Sequence, residues 1–210
     1  DEYAVRPRVR RPAGHVIVGS TRETMMNTPG PLAHDIPGDA SEQAIAKRMI
    51  RVDHAGEYGA TRIYAGQLAV LGRGAKGDLI RHMQAQEQVH LQTFNAMIAD
   101  RRVRPTALLP LWHLAGFALG AVTAALGEKA AMACTVAVEE AIDDHYSAQL
   151  ETLGTTEPAL REVVETFRTE EREHRAIGLD HGAEQTPGYR FLSRAIKAGC
   201  RVAIAVSERV

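Results

Sequence analysis

The sequence predicts an all-α fold: a four-helix bundle with a long apolar crossover or interfacial helix and an additional C-terminal helix. Three observations predict it. Hydrophobic residues make up 45% of the 210 residues and aromatics only 5%, with alanine abundant and β-branched runs short, a balance that favours packed helices over sheets. Apolar residues recur three and four apart over long windows, the period of one helix face. The chain also repeats itself, about residues 50–100 against 132–182. The length suits one sizeable core. A net charge of −1 gives no argument for a nucleic-acid partner. Cys134 and Cys200 fit no metal or redox spacing, so reduced cysteines in an intracellular compartment are expected.

Residues 1–38 carry five of the nine prolines and the basic run Arg6, Arg8, Arg10, Arg11. No helical or strand period crosses them, so a flexible basic, proline-rich tail is expected. A remnant of an Arg-rich transit peptide, or a contact with anionic headgroups, is the functional alternative to a solvated arm. The domain proper spans 39–210. Its first helix starts near Asp39-Ala40-Ser41-Glu42, which supplies capping residues, and runs to about Leu71. Gly72, Gly74 and Gly77 interrupt, and a second helix covers about Asp78 to Arg101. Thr106 to Gly127 follows, twenty-two residues without Asp, Glu, Lys or Arg. The next helix spans Glu128 to Leu153. Pro158 suits the first position of another, which runs to about His181. Thr186-Pro187-Gly188 then breaks the chain before a last helix, Tyr189 to Ser207, whose apolar side includes Phe191, Leu192, Ala195, Ile196, Val202 and Val206.

Glu87-Gln88-Val89-His90 sits on the apolar stripe Ile80, Met83, Leu91, Phe94, Ile98. Glu87 lies four after Met83 and Phe94 four after His90, so both polar groups point toward the core. An unpaired carboxylate there costs several kcal/mol, a large part of a domain's net stability. The repeat supplies partners. Aligning Glu57 with Glu139 aligns Tyr64 with Tyr146, Gln67 with Gln149, Leu68 with Leu150 and Leu71 with Leu153. Thirty residues after Glu57 comes Glu87 with His90; thirty-two after Glu139 comes Glu171 with His174. Glu140, Glu170 and Glu173 fall off this register and read as solvated neighbours.

Four helices each giving a glutamate, two of them adding a histidine at i+3, form the ligand set of a di-iron or di-manganese site. Glu57, Glu87, His90, Glu139, Glu171 and His174 are the expected metal ligands. Packed carboxylates would repel and take up protons, whereas two divalent cations cancel their charge. Oxygen with some nitrogen suits Fe(II) or Mn(II). The usual pattern of this architecture makes Glu87 and Glu171 bridging and Glu57 and Glu139 terminal. Tyr64 and Tyr146 stand two turns from the terminal glutamates. His54, Asp143 and His181 are candidates to orient ligands, and His145 faces either the site or solvent.

The uncharged stretch is long enough to span a bilayer. A single crossing would, however, put the two half-sites on opposite sides of it. The stretch must return, as a buried crossover or as a helix lying in the lipid interface. Arg101, Arg102 and Arg104 before it suit anionic headgroups, with Trp112 at the boundary.

From about Arg48 to Val210 the chain resembles the demethoxyubiquinone hydroxylases, di-iron monooxygenases of ubiquinone biosynthesis. The resemblance rests on Ile50-Arg-Val-Asp-His-Ala-Gly-Glu-Tyr-Gly59, Arg104-Pro-Thr106, Leu109-Pro-Leu-Trp112, Ala133-Cys-Thr-Val-Ala-Val-Glu-Glu140, Ile177-Gly-Leu-Asp-His181 and Ala198-Gly-Cys-Arg-Val202. It implies a ferritin-like bundle with two Fe ions, and O₂ as co-substrate in hydroxylating the ring of 5-demethoxyubiquinol. It implies NADH as reductant, although the sequence carries no dinucleotide fingerprint. It places His145 and Tyr146 at positions proposed for electron transfer. It also implies peripheral attachment to the matrix face of the mitochondrial inner membrane or the cytoplasmic face of a bacterial membrane. A lipid-binding partner of the same pathway is expected in mitochondria, and a homo-oligomer is compatible with the chain. Two other readings compete. An iron-storage or peroxide-scavenging ferritin-like protein would form a soluble cage or carry an electron-transfer module with paired cysteines. A non-catalytic lipid-binding scaffold would not need an intact set of six ligands.

Overall fold

The computed structural model describes residues 40–210; the proline-rich tail lies outside them. Among the described residues six α-helices follow in order: α1 Glu42–Leu71, α2 Gly74–Asp100, α3 Leu109–Ala125, α4 Glu128–Leu153, α5 Pro158–Asp180 and α6 Tyr189–Ser207, with a 3₁₀ turn at Ala183–Gln185. Helices α1, α2, α4 and α5 form the bundle. α3 lies along α1, and α6 packs on α4.

Local chemistry sets the boundaries. Ser41 caps α1 by accepting a bond from the Ala44 amide at 3.2 Å. Gly154 ends α4 with φ +52°, a conformation that Gly adopts without steric cost. α2 starts at Gly74 rather than near Asp78. Its Gly77 is needed inside the helix, because an added Cβ would stand 2.5 Å from the Gly72 carbonyl carbon.

The four bundle helices share one pattern. On each, apolar side chains lie before and after the buried glutamate, building two layers. One holds Ile50, Phe94, Tyr146, Leu160 and Phe167. The other holds Tyr64, Ile80, Met83, Met132 and Val136. Between them sit the polar residues singled out by the repeat. α3 approaches α1 backbone to backbone. A Cβ on Gly120 would collide with Ile63 O, one on Gly66 with Phe117 O, and one on Gly116 would lie 2.8 Å from Gly59 O. That pairing returns the chain to the side it left. Among the described residues no helix is long and apolar enough to cross a membrane.

Candidate metal centre

Glu57 on α1, Glu87 and His90 on α2, Glu139 on α4, and Glu171 and His174 on α5 meet in the bundle interior, each at most 1% exposed. They form two overlapping quartets. Glu57, Glu87, His90 and Glu171 offer ligand atoms within 4.8 Å of one another, and so do Glu87, Glu139, Glu171 and His174. Glu87 and Glu171 are common to both, so the geometry separates two shared carboxylates from two that each serve one quartet. His90 Nδ1 lies 3.1 Å from Glu171 and 3.5 Å from Glu57. His174 Nδ1 lies 3.0 Å from Glu87 and 3.2 Å from Glu171.

The bonds around the cluster follow the repeat, with each half holding the other. Tyr64 donates to Glu139 at 3.0 Å, and Tyr146 donates to Glu57. Gln149 reaches Asp53 at 2.7 Å. Its counterpart Gln67 reaches Thr135 at 3.4 Å and the Ala131 carbonyl at 3.1 Å. Asp53 and Thr135 each stand four residues before the glutamate of their half. His90 Nε2 meets Glu170 at 2.5 Å, and His174 Nε2 meets Gln86 at 3.0 Å. These acceptors hold the outer nitrogens and leave both Nδ1 atoms facing the cluster.

The cluster is electrostatically incomplete. Among the described residues, both oxygens of Glu87, and one each of Glu57 and Glu139, are buried without a well-aligned hydrogen bond. Burial, the largest cause, pushes Glu57, Glu87 and Glu139 above the ordinary carboxylate range, and the neighbouring Glu171 adds to it. Burial also raises Glu171, but bonds from His174 and His90 outweigh it and hold that carboxyl down to about 2. Burial lowers His90, yet Glu171 and Glu57 carry it up to about 12. Hard oxygens without partners and two imidazole nitrogens facing inward fit a pair of divalent first-row cations.

The model of the family described as "Ubiquinone biosynthesis protein COQ7" matches residues 44–207. The chain belongs to the COQ7 family. It is 62% identical over 176 residues to the 3-demethoxyubiquinol 3-hydroxylase of Rhodospirillum rubrum, covering 83% of each chain. It is 56% identical over 176 residues to the human NADPH-dependent 3-demethoxyubiquinone 3-hydroxylase, mitochondrial, covering 82% of this chain and 81% of the relative. The 5-demethoxyubiquinone hydroxylase, mitochondrial, of Saccharomyces cerevisiae is 40% identical over 187 residues, with 81% and 80% covered.

Around the six residues, this COQ7-family chain departs from several expectations. Glu170 is not a solvated neighbour but the partner of His90. Glu140 is tied to Lys197 at 2.6 Å and Arg175 at 3.0 Å, joining α4 to α6 and α5. Burial raises its carboxyl, and the two cations outweigh this to leave it below the ordinary range. Asp143 holds Arg168 and Arg172 rather than a cluster histidine. His54 bonds Asn95, and exposed His181 caps the Ile177 carbonyl. Neither reaches the site. His145, half-buried, bonds Asp53 at 3.1 Å, next in sequence to buried Tyr146. Glu170 had a signal in the repeat: it precedes Glu171 as Gln86 precedes Glu87.

Proposed function

We propose that this chain hydroxylates the ring of a demethoxyubiquinol, using O₂ at a two-iron centre held by Glu57, Glu87, His90, Glu139, Glu171 and His174. One oxygen atom enters a ring C–H bond. The other leaves as water, with two electrons drawn from a reduced nicotinamide dinucleotide. The names of the mammalian relatives favour NADPH as that reductant, where the resemblance implies NADH. The bound iron would supply O₂ activation. The chain's own residues do the remaining work. Tyr64 and Tyr146 orient the terminal carboxylates, Gln86 and Glu170 fix the imidazoles, and Phe94 and Phe167 keep water from one side. His145 and Tyr146 lead from the half-exposed surface to Glu57, a path for electrons and protons.

The observation that carries the substrate class is a cavity of about 510 Å³ among α1, α3, α4 and α6. Gly56, Gly59, Ala60, Val138, Ala195 and Gly199 are among the residues that line it. Gly56 and Val138 immediately precede Glu57 and Glu139, so the cavity runs beside the helix segments that carry the terminal carboxylates. An apolar wall of this size suits an isoprenoid tail and a quinone ring, and offers nothing to a hydrated ion in transit. Large apolar side chains are exposed on the outside of α3 (Leu111, Leu114, Val122) and of α6 (Phe191, Val202), the latter beside exposed Arg190, Arg194 and Arg201, which fits a chain resting on an anionic lipid surface in a mitochondrion or a bacterium.

Complementation tests the reading. A strain lacking its own hydroxylase should accumulate demethoxyubiquinone and regain ubiquinone when given this chain, scored by quinone chromatography. Failure by folded protein that holds two Fe per chain would turn the reading toward iron storage or a lipid-binding scaffold.

A further inference from the structure

The internal two-fold order is broken at the position where it matters most for a metal. His174 gives its outer Nε2–H to the neutral amide oxygen of Gln86 at 3.0 Å. His90 gives its own to the carboxylate of Glu170 at 2.5 Å. The rings are also housed differently. His90 stacks on Phe167 with centroids 3.9 Å apart and planes 24° from parallel. The residue related to Phe167 by the repeat is Met83, and His174 instead meets the edge of Tyr64 at 6.2 Å. Glu170 is partly open to water, with its side chain 35% exposed, while His90 is fully buried.

A carboxylate acceptor on the far nitrogen polarises an imidazole more than an amide does, making the inward nitrogen the better electron donor. It also fixes the ring plane more firmly, and stacking on Phe167 opposes rotation. All of this acts on the quartet of Glu57, Glu87, His90 and Glu171. The quartet of Glu87, Glu139, Glu171 and His174 receives only the amide. The shared carboxylates do not discriminate, because both quartets use them.

We propose that Glu170 makes the two metal positions unequal, so that a first divalent cation fills the Glu57–His90 position and a second fills the Glu139–His174 position. Glu170 touches no metal in this scheme; it is a positioning residue acting through His90. The proposal rests on the two-metal part of the functional reading and not on the substrate.

The test uses the metal-free full chain titrated anaerobically with Mn(II). Calorimetry should show two steps, the first at least about tenfold tighter, the lower end of what an outer partner is worth. Electron paramagnetic resonance at one equivalent should show mainly isolated Mn(II), and a spin-coupled pair only at two. Glu170→Gln should weaken the first step by about 10–100-fold and leave the second within a few-fold, so that the steps merge. Gln86→Glu should tighten the second step. A coupled pair already dominant at one equivalent of Mn(II) would overturn the proposal. So would a Glu170→Gln chain that loses both steps equally, since that is the signature of a general loss of structure. If Glu170→Gln fails to fold, Gln86→Glu decides alone: an unchanged ratio of the steps refutes it. Failure to bind two Mn(II) at all would defeat the metal reading itself. Normal two-step binding without hydroxylation would defeat only the catalytic one.

Discussion

Glu87 has no exposure to solvent, and among the described residues neither of its carboxylate oxygens accepts a well-aligned hydrogen bond. Its situation sets a pH dependence for the whole chain. In the metal-free protein Glu57, Glu87 and Glu139 titrate above their ordinary 4.5, with burial the main cause. His90 and His174 titrate above 6.5, because the carboxylates around them outweigh burial. A group whose folded value is raised contributes stability in full below its unfolded value and loses it as pH rises. The carboxylate contribution therefore fades above pH 4.5 and the imidazole contribution above 6.5. Glu171 has the opposite sign, but its value near 2 leaves its contribution constant from pH 5 upward. The metal-free chain should melt at a lower temperature at about pH 7.5 than at about pH 5.5, while Mn(II) loading removes the loss. The gap between loaded and metal-free melting temperatures should widen across that range. A constant or narrowing gap by calorimetry contradicts the account. At this scale the sequence was informative about faces and poor about partners. Spacing put Asp143 one turn after Glu139 and His181 two turns after His174. It could not show that Asp143 would find Arg168 and Arg172 on α5, because that depends on the register between helices.

Among elements, the glycines divide by what surrounds them. Gly66, Gly116 and Gly120 stand where α1 and α3 touch, and a Cβ there meets opposing backbone. Gly116 and Gly120 are what lets α3 lie on α1. Gly56, Gly59 and Gly199 also lie inside helices, yet nothing comes within 4 Å of an added Cβ, because each borders the cavity. Helical glycine costs about 1 kcal/mol against alanine. Gly59→Ala should therefore stabilise the chain by up to about 1 kcal/mol, and Gly120→Ala should destabilise it by about 1–3 kcal/mol through overpacking. Denaturant unfolding of the two variants checks both signs; a destabilised Gly59→Ala would mean that the cavity wall is packed after all. The helices themselves were legible to within about four residues at their ends, since caps, prolines and periodicity are local signals. α4 runs from Glu128 to Leu153 as read. The cavity was not legible, because it arises from four helices that no local window contains.

At the scale of the whole molecule, α3 and α6 raise the question of what covers them. Leu111, Leu114 and Val122 on α3 and Leu126 just after it are 53–71% exposed, and Phe191 and Val202 on α6 are 81% and 61% exposed. Both helices also wall the cavity on their inner sides. Trp112, expected at a lipid boundary, turns instead toward α6 and bonds Ser207 at 3.1 Å. Of the three arginines before α3, Arg101 is engaged with Glu157 at 2.5 Å, leaving Arg102 and Arg104 exposed at the helix entrance. An apolar outer face beside a cavity wall, with exposed Arg102 and Arg104 at the helix entrance, would sit in a bilayer surface with the cavity drawing its ligand from lipid. Burying one leucine is worth roughly 1.5–3 kcal/mol when complete. The triple change Leu111→Glu, Leu114→Glu, Leu126→Glu should then abolish co-flotation with vesicles of phosphatidylcholine and phosphatidylglycerol. Arg102→Ala with Arg104→Ala should weaken flotation only on the anionic vesicles and mainly at low salt, since exposed charges are screened within about 10 Å at 0.1 M. None of these side chains touches the cluster, so two-step Mn(II) binding should survive in every variant. Wild-type protein that stays at the bottom of the gradient, or a triple variant that still floats, would return α3 to the role of a crossover alone.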